Sequence, residues 1–425
     1  MKTPRKIHYA WYILACCILI NIIVQALVMT CSSLYIVPMY NDLQVPRALL
    51  SLQSVMITVG AVLTAPVWGK LYKTQNARML LPIAVGAVAV CTFARSLMPN
   101  IWFILPLSLV KGIFFTGATL LPISVLLTAW FKERRGFAVS VASIGTSVGS
   151  ILFSPFTDRM IQNFGWRGAD RISGLIMFII MVPCLIIIIR NRPKDIGLLP
   201  LGATAEDVAA MKRAATNAPQ KTATGMSLAE ARRSPILWVF LLGIFGMTVA
   251  TGAALQIPVY LQDIGYSSTL AAGAVSAYSA VAIAGKLILG QVTDKKGAKF
   301  GTVYVCSICL AAFLCFILAK NPVALAGMVV FYGLGCGITA VMPTLLTSKI
   351  FGNRDYGPIY GLVVSINRFG GVVGNVLVAL LFDLTGSYSI IWPVCAAAML
   401  LTLLSLLYCL KSSQKFFVET PNSSL

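Results

Sequence analysis

The chain has 425 residues, 58% of them hydrophobic and only 11% charged, against about 45–50% and about 25% in soluble domains. So little charge cannot cover the surface of two or three water-soluble domains, so a soluble globule is excluded and lipid must be the solvent for most of the chain. A formal charge of +20 does not by itself mark a nucleic-acid binder, because the basic residues fall between apolar runs rather than on one face.

Twelve apolar runs each supply the roughly 20 residues that cross a hydrocarbon core of about 30 Å. The first, 10–37, follows Lys2, Arg5 and Lys6. It is too long for a signal-peptide core and no small-residue cleavage site follows, so it reads as a retained helix, with Asn21, Gln25 and Tyr35 as polar side chains. Runs two (48–68) and three (80–97) flank Gly69-Lys70-Leu71, and run four (101–129) holds Lys111 and Pro122. Runs five (136–156) and six (172–189) complete a first half. Residues 191–234 are polar and carry Pro193, Pro200 and Pro219, which reads as a linker with a short surface helix near Ala205–Ala215. Run seven (236–260) contains Gln256, Pro258 and Tyr260; run eight (270–292) contains Lys286. Runs nine (303–319), ten (322–350, with Tyr332 and Pro343), eleven (359–382, with Asn367 and Arg368) and twelve (390–410) follow.

The expected architecture is an all-α membrane protein of twelve transmembrane helices: a six-helix bundle over 1–190, a linker over 191–234, a second bundle over 235–410 and a tail over 411–425. With the N-terminus cytoplasmic, the segments on that side hold 24 of the Lys and Arg residues and the opposite side six. This bias predicts both termini on the cytoplasmic side of the inner or plasma membrane. Lys111, Lys286 and Arg368 remain inside the runs.

The halves repeat at an offset of about 220 residues. Pro38 and Tyr40 recur as Pro258 and Tyr260, Gly69 as Gly290, Pro122 as Pro343, Phe131 and Arg134 as Phe351 and Arg354, and Ile144 and Gly149 as Ile366 and Gly371. Six crossings per half make the repeat parallel, a plan suited to alternating access about a midplane site. Membrane enzymology lacks residues: the single histidine, His8, is at the N-terminal edge and no helical carboxylate pair is available, so no enzyme, metal or cofactor is expected. Cys306 and Cys309 form a C-x-x-C in mid-membrane, with no second pair and no histidine nearby, so the 11 cysteines read as small hydrophobes.

The stretch Gly290-Gln291-Val292-Thr293-Asp294-Lys295-Lys296-Gly297-Ala298-Lys299 resembles the G-x-L-x-D-R-x-G-R-R loop of the major facilitator superfamily. In the first-half copy Lys73 stands where the aspartate would be. Trp130-Phe131-Lys132-Glu133-Arg134-Arg135-Gly136-Phe137-Ala138, Gly165-Trp166-Arg167 and Arg192-Pro193-Lys194-Asp195 are similar to the monocarboxylate transporter and oxalate:formate antiporter group within it. The resemblance implies the major facilitator fold and a gating role for Gly290, Asp294, Lys295, Gly297, Lys132, Arg134 and Arg135. It also implies that Lys286 and Arg368 bind substrate carboxylates, as basic residues at those places do in the oxalate:formate group. Lys111 matches no position of the family. Ala282 stands where proton-coupled monocarboxylate carriers have an aspartate.

A charge in mid-membrane costs about 2.5–3.5 kcal/mol on insertion scales and commonly marks a substrate path, although a lysine can also snorkel to an interface. All 13 acidic residues are expected in loops, tails or helix ends, so an anion should complete the pairs with Lys286, Arg368 and Lys111. Gln256, Tyr260, Tyr332, Tyr35 and Asn367 can hydrogen-bond a carboxylate or act as helix-to-helix links; Asn21 reads as a link. The expected function is secondary transport of a small organic anion, a mono- or dicarboxylate, by a monomer, through exchange or facilitated movement rather than proton symport. The alternatives are a carrier of a neutral or lipophilic solute and a non-transporting sensor or scaffold.

Overall fold

The computed structural model describes residues 8–45, 47–203, 225–385, 387–388 and 390–418, so the expected helix near Ala205–Ala215 lies outside the described residues. Ten helical stretches are long and apolar enough to cross a membrane. Two of them, 54 and 45 residues long, would span about 80 and 70 Å at 1.5 Å per residue. Each turns back at a glycine with left-handed φ, Gly165 (φ 69°) and Gly297 (φ 87°), and so counts as two crossings. We number the twelve crossings α1 (10–43), α2 (Arg47–Thr74), α3 (Ala77–Arg95), α4 (Ile101–Trp130), α5 (135–164), α6 (166–188), α7 (235–263), α8 (268–296), α9 (298–317), α10 (Pro322–Phe351), α11 (Tyr356–Thr385) and α12 (Ile391–Val418). Among the described residues there is no strand, only two isolated bridges.

The chain divides into two compact units, Met1–Thr222 and Ala223–Leu425. Inside each, small residues let corresponding helices touch backbone to backbone. A Cβ on Gly112 of α4 would stand 2.1 Å from the Ile57 carbonyl of α2, and one on Gly333 of α10 would stand 2.8 Å from the Tyr278 carbonyl of α8. Both members of that contact are 221 residues apart. Gly149 packs α5 onto Ile22 of α1, as Gly374 packs α11 onto Val249 of α7. Gly174 packs α6 onto Ala89 of α3, while Trp392 of α12 stacks on Phe316 of α9 with centroids 4.2 Å apart.

Outward faces are apolar: Leu63, Met79, Trp102, Val323 and Leu384 are all exposed. In water such a belt would drive aggregation; in hydrocarbon it is the solvated surface.

The ends of the linker dock separately, each on its own half. Leu201 donates its N–H to the Trp130 carbonyl at 2.8 Å and accepts from the Lys132 N–H at 3.0 Å. In the second half Met226 donates to the Phe351 carbonyl at 2.9 Å and Leu228 to Asp355 at 2.9 Å. The one-and-a-half-turn helix Leu228–Arg233 starts with a capping box, Ser227 and Glu230 exchanging bonds. The Ser227 N–H holds the Glu230 carboxyl below the usual carboxylate range, and Arg354 pairs with it at 3.5 Å.

Candidate functional site

In the second half, Lys286 comes from α8 and is 7% exposed. Its neighbour Gly285 presses on Leu334 of α10, which brings the lysine stem against the Cys336–Gly337 turn: a Cβ on Gly337 would stand 3.2 Å from Lys286 Cγ. At this turn α10 loosens, although both residues keep right-handed helical angles. A cavity of about 220 Å³ opens there, lined by Thr251, Cys309, Phe313, Tyr332, Cys336 and Thr339 among others. Tyr332 is buried, edge-on to Tyr278 and Phe316. Two residues past Gly337, the Thr339 carbonyl accepts from Asn367 Nδ2 of α11 at 3.1 Å. Arg368, next to it, is half-buried, with Tyr360 as an electrostatic neighbour. A Cβ added at Gly371, one turn beyond Arg368, would meet nothing within 4 Å, so open volume adjoins that face of α11.

Depth along the helices matches. Lys286 lies eleven residues before the Gly297 turn and Arg368 twelve residues after Tyr356, so each sits about 16–18 Å from its helix end on the basic side. Lys286 and Asn367 thus reach α10 at Gly337 and Thr339, within two turns of Tyr332.

The other predicted residues lie elsewhere. Gln256 donates to Asn375 Oδ1 at 3.4 Å, linking α7 to α11. Tyr260 is buried, donates its hydroxyl to the Phe316 carbonyl and packs on Tyr388 and Trp392. It lines a separate crevice of about 690 Å³ at the far end of the half, with Asp263 and Lys320. Asn21 is a helix link, its Nδ2 donating to the Ala142 carbonyl at 2.8 Å.

In the first half, Lys111 of α4 is 4% exposed, and Tyr35 of α1 is 3% exposed. They belong to a charged cluster that sequence reasoning missed. Arg95, the last residue of α3, makes a two-pronged pair with Asp170 of α6, Nε to Oδ2 at 2.7 Å and NH2 to Oδ1 at 2.6 Å. Asp170 is 0% exposed. Arg95 also donates to Gln53 Oε1 at 3.3 Å and lies 4.6 Å above the Tyr35 ring. Asp170 sits near a helix end, as expected of every acidic residue, but it is buried and paired rather than solvated. Arg95 and Asp170 fall at the edges of apolar runs, where a charge reads as loop, yet α3 reaches Arg95 as its last residue and α6 runs through Asp170. One signal was present: at the repeat offset these positions are Phe316 and Trp392, both fully buried core residues.

The residues expected to gate occupy the turns on the basic side. Gly290 is buried near the end of α8, Asp294 and Lys295 are exposed, and Gly297 supplies the left-handed turn. Lys132 and Arg134 are exposed. Arg134 adopts φ 52° before α5, and Arg135 caps the end of α4 by donating to the carbonyls of Phe131 (3.1 Å) and Thr128 (3.2 Å). Among the described residues, no group of three or more His, Cys, Asp or Glu side chains could hold a metal.

Comparison with known proteins places the fold. The family model described as Major Facilitator Superfamily matches residues 17–375. Monocarboxylate transporter 12 of Rattus norvegicus is 24% identical over 425 aligned residues, 94% of this chain and 85% of that protein. The uncharacterized MFS-type transporter YcxA of Bacillus subtilis is 22% identical, covering 85% and 86%. Among solved structures, the proton:xylose symporter XylE bound to 6-bromo-6-deoxy-D-glucose superposes with TM-score 0.73 at 14% identity, covering 95% of each chain. FucP in the outward conformation superposes with TM-score 0.67 at 12% identity, covering 95% and 99%. At these identities the structures show the fold alone.

Proposed function

The chain belongs to the major facilitator superfamily, and from that premise we propose that it is a secondary transporter of a small organic anion, a mono- or dicarboxylate, working by alternating access. The observation that carries the reading is Lys286. It is a cation 7% exposed, lodged in mid-helix against the α10 turn that also lines the polar-edged cavity. Such a residue is costly in lipid and marks a path. A carboxylate 4 Å from one cation gains about 4 kcal/mol at an effective dielectric of 20 before desolvation, comparable with a single insertion cost. Arg368, at matching depth beside the open face at Gly371, is the second anion contact. The relationship to a protein named a monocarboxylate transporter points to the same cargo class.

Exchange or facilitated movement fits better than proton symport. Ala282 occupies the position of the helix-eight aspartate of proton-coupled carriers, and both oxygens of the buried Asp170 already accept from Arg95. The positive-inside bias supports placement in the inner or plasma membrane, with both termini cytoplasmic.

The test is uptake into proteoliposomes. Labelled oxalate, formate, lactate or succinate should enter. Arg368→Gln should abolish that flux with folding retained, and Lys286→Arg should retain more of it than Lys286→Gln. Normal uptake by Arg368→Gln would remove the site assignment. Indifference to every anion would favour a neutral solute, and ligand binding without flux would favour a sensor or scaffold.

A further inference from the structure

The repeat accounts for most of α4 and leaves Lys111 unexplained. Its counterpart at offset 221 is Tyr332, while Gly112 and Ile57 around it match Gly333 and Tyr278. Where the second half places an aromatic ring, the first half places a cation that is 96% buried. Among the described residues, Lys111 Nζ makes no hydrogen bond and no ion pair. Its electrostatic neighbours are Arg95, Asp170 and Cys91.

The charge inventory of that cluster does not balance. Asp170 is the carboxylate within range, and Arg95 takes both of its oxygens. Arg95 is itself held in place by Gln53 and by the Tyr35 ring. Two buried cations therefore share one carboxylate, and the cation left over is Lys111. A snorkelling lysine would reach water or headgroups along an exposed stem; this side chain is 4% exposed. A buried charge without a partner is costly, and such residues inside membrane helices commonly face a cavity and mark a substrate path.

We propose that Lys111 Nζ is an anion-binding group of the first half that receives a carboxylate, and that the Arg95–Asp170 pair is its positioning element. By occupying Asp170, Arg95 keeps that carboxylate from neutralising Lys111 and leaves the ammonium for the ligand. The inference rests on the reading of the cargo as an organic anion, and it assigns that cargo a contact the repeat would not predict.

The experiment uses the purified full-length chain in detergent, titrated with sodium formate and with sodium oxalate and followed by thermal unfolding, since a ligand of the folded state raises its stability. Lys111→Met should weaken anion affinity about tenfold or more, while Lys111→Arg stays within about threefold. Without anion, Lys111→Met should melt at or above the wild-type temperature, because it removes a buried charge that lacks a partner. Arg95→Met should also lose anion affinity although Lys111 is intact, because the released Asp170 then pairs with it. The assignment is overturned if Lys111→Met binds both anions as wild type does, if its anion-free melting temperature falls by several degrees, or if neither anion stabilises the wild-type chain. Wild-type affinity in Arg95→Met would overturn the positioning role. Measured on Lys286→Gln/Arg368→Gln, the same titration separates the two claims: a remaining anion shift that vanishes on adding Lys111→Met belongs to Lys111, whatever the fate of the other site.

Discussion

Arg95 and Asp170 place a full ion pair near the ends of α3 and α6, where the second half has Phe316 stacked on Trp392. The two solutions fill the same joint between helices, one by charge-assisted hydrogen bonds and one by ring stacking. A buried pair contributes little net stability, yet losing one partner strands the other. Asp170→Leu, which strands Arg95, should therefore cost about 3–5 kcal/mol, Arg95→Met less because the released Asp170 turns to Lys111, and the double variant Arg95→Met/Asp170→Leu less than the sum, read from a double-mutant cycle of thermal or denaturant unfolding. Additive losses would show that the pair is not a unit. At this scale the sequence disclosed the residues whose presence is anomalous by type alone: Lys111, Lys286 and Arg368 are charges inside apolar runs. It did not disclose Asp170, because a carboxylate five residues past the Gly165 turn looks the same in a loop as in the first turns of a helix. Tyr260 shows the converse. Its polarity suggested a ligand contact, but its hydroxyl is taken by the Phe316 carbonyl.

Glycines carry the element scale. Gly112 against Ile57, Gly149 against Ile22 and Gly374 against Val249 each leave no room for a methyl group, with Cβ distances of 2.1, 2.4 and 2.3 Å to backbone oxygens. Gly371, three residues before Gly374, faces open space. Gly112→Ala and Gly374→Ala should destabilise the chain by about 1–3 kcal/mol through overpacking, while Gly371→Ala should leave folding unchanged. Melting temperatures of the three variants check this, and an equal loss in Gly371→Ala would contradict the open face beside Arg368. Helix α4 shows how polar side chains repair an irregular helix in lipid. Thr119 adopts φ −123° and ψ −106°, and α2 covers carbonyls near the break: Trp68 Nε1 donates to Ile113 at 2.7 Å and the Tyr72 hydroxyl to Gly117 at 2.6 Å. Run lengths and glycine positions made the helices legible from sequence, and Pro122 marks the irregular turn at Thr119, but the donors that cover the nearby carbonyls come from 45 residues away.

For the whole molecule, orientation is the quantity to test. On the proposed topology, Lys320→Cys should react with a membrane-impermeant thiol reagent in intact cells, and Lys295→Cys only after permeabilisation. The native cysteines among the described residues are buried or half-buried, which keeps the background low; the reverse labelling pattern would invert the chain. The linker adds a feature that composition could not give. Its ends pair with the loops at 130–132 and 351–355, positions one repeat apart, so each half carries its own end of the linker. By itself the sequence determined that the solvent is lipid, that there are twelve crossings and that six-helix halves repeat. It did so because hydropathy and run length are local quantities, and because a duplication leaves its offset along the chain. Only the tertiary structure decided which charges are compensated. Pairing depends on which helices touch: Arg95 meets Asp170 across 75 residues of chain, and Lys286 meets the Cys336–Gly337 turn across about 50.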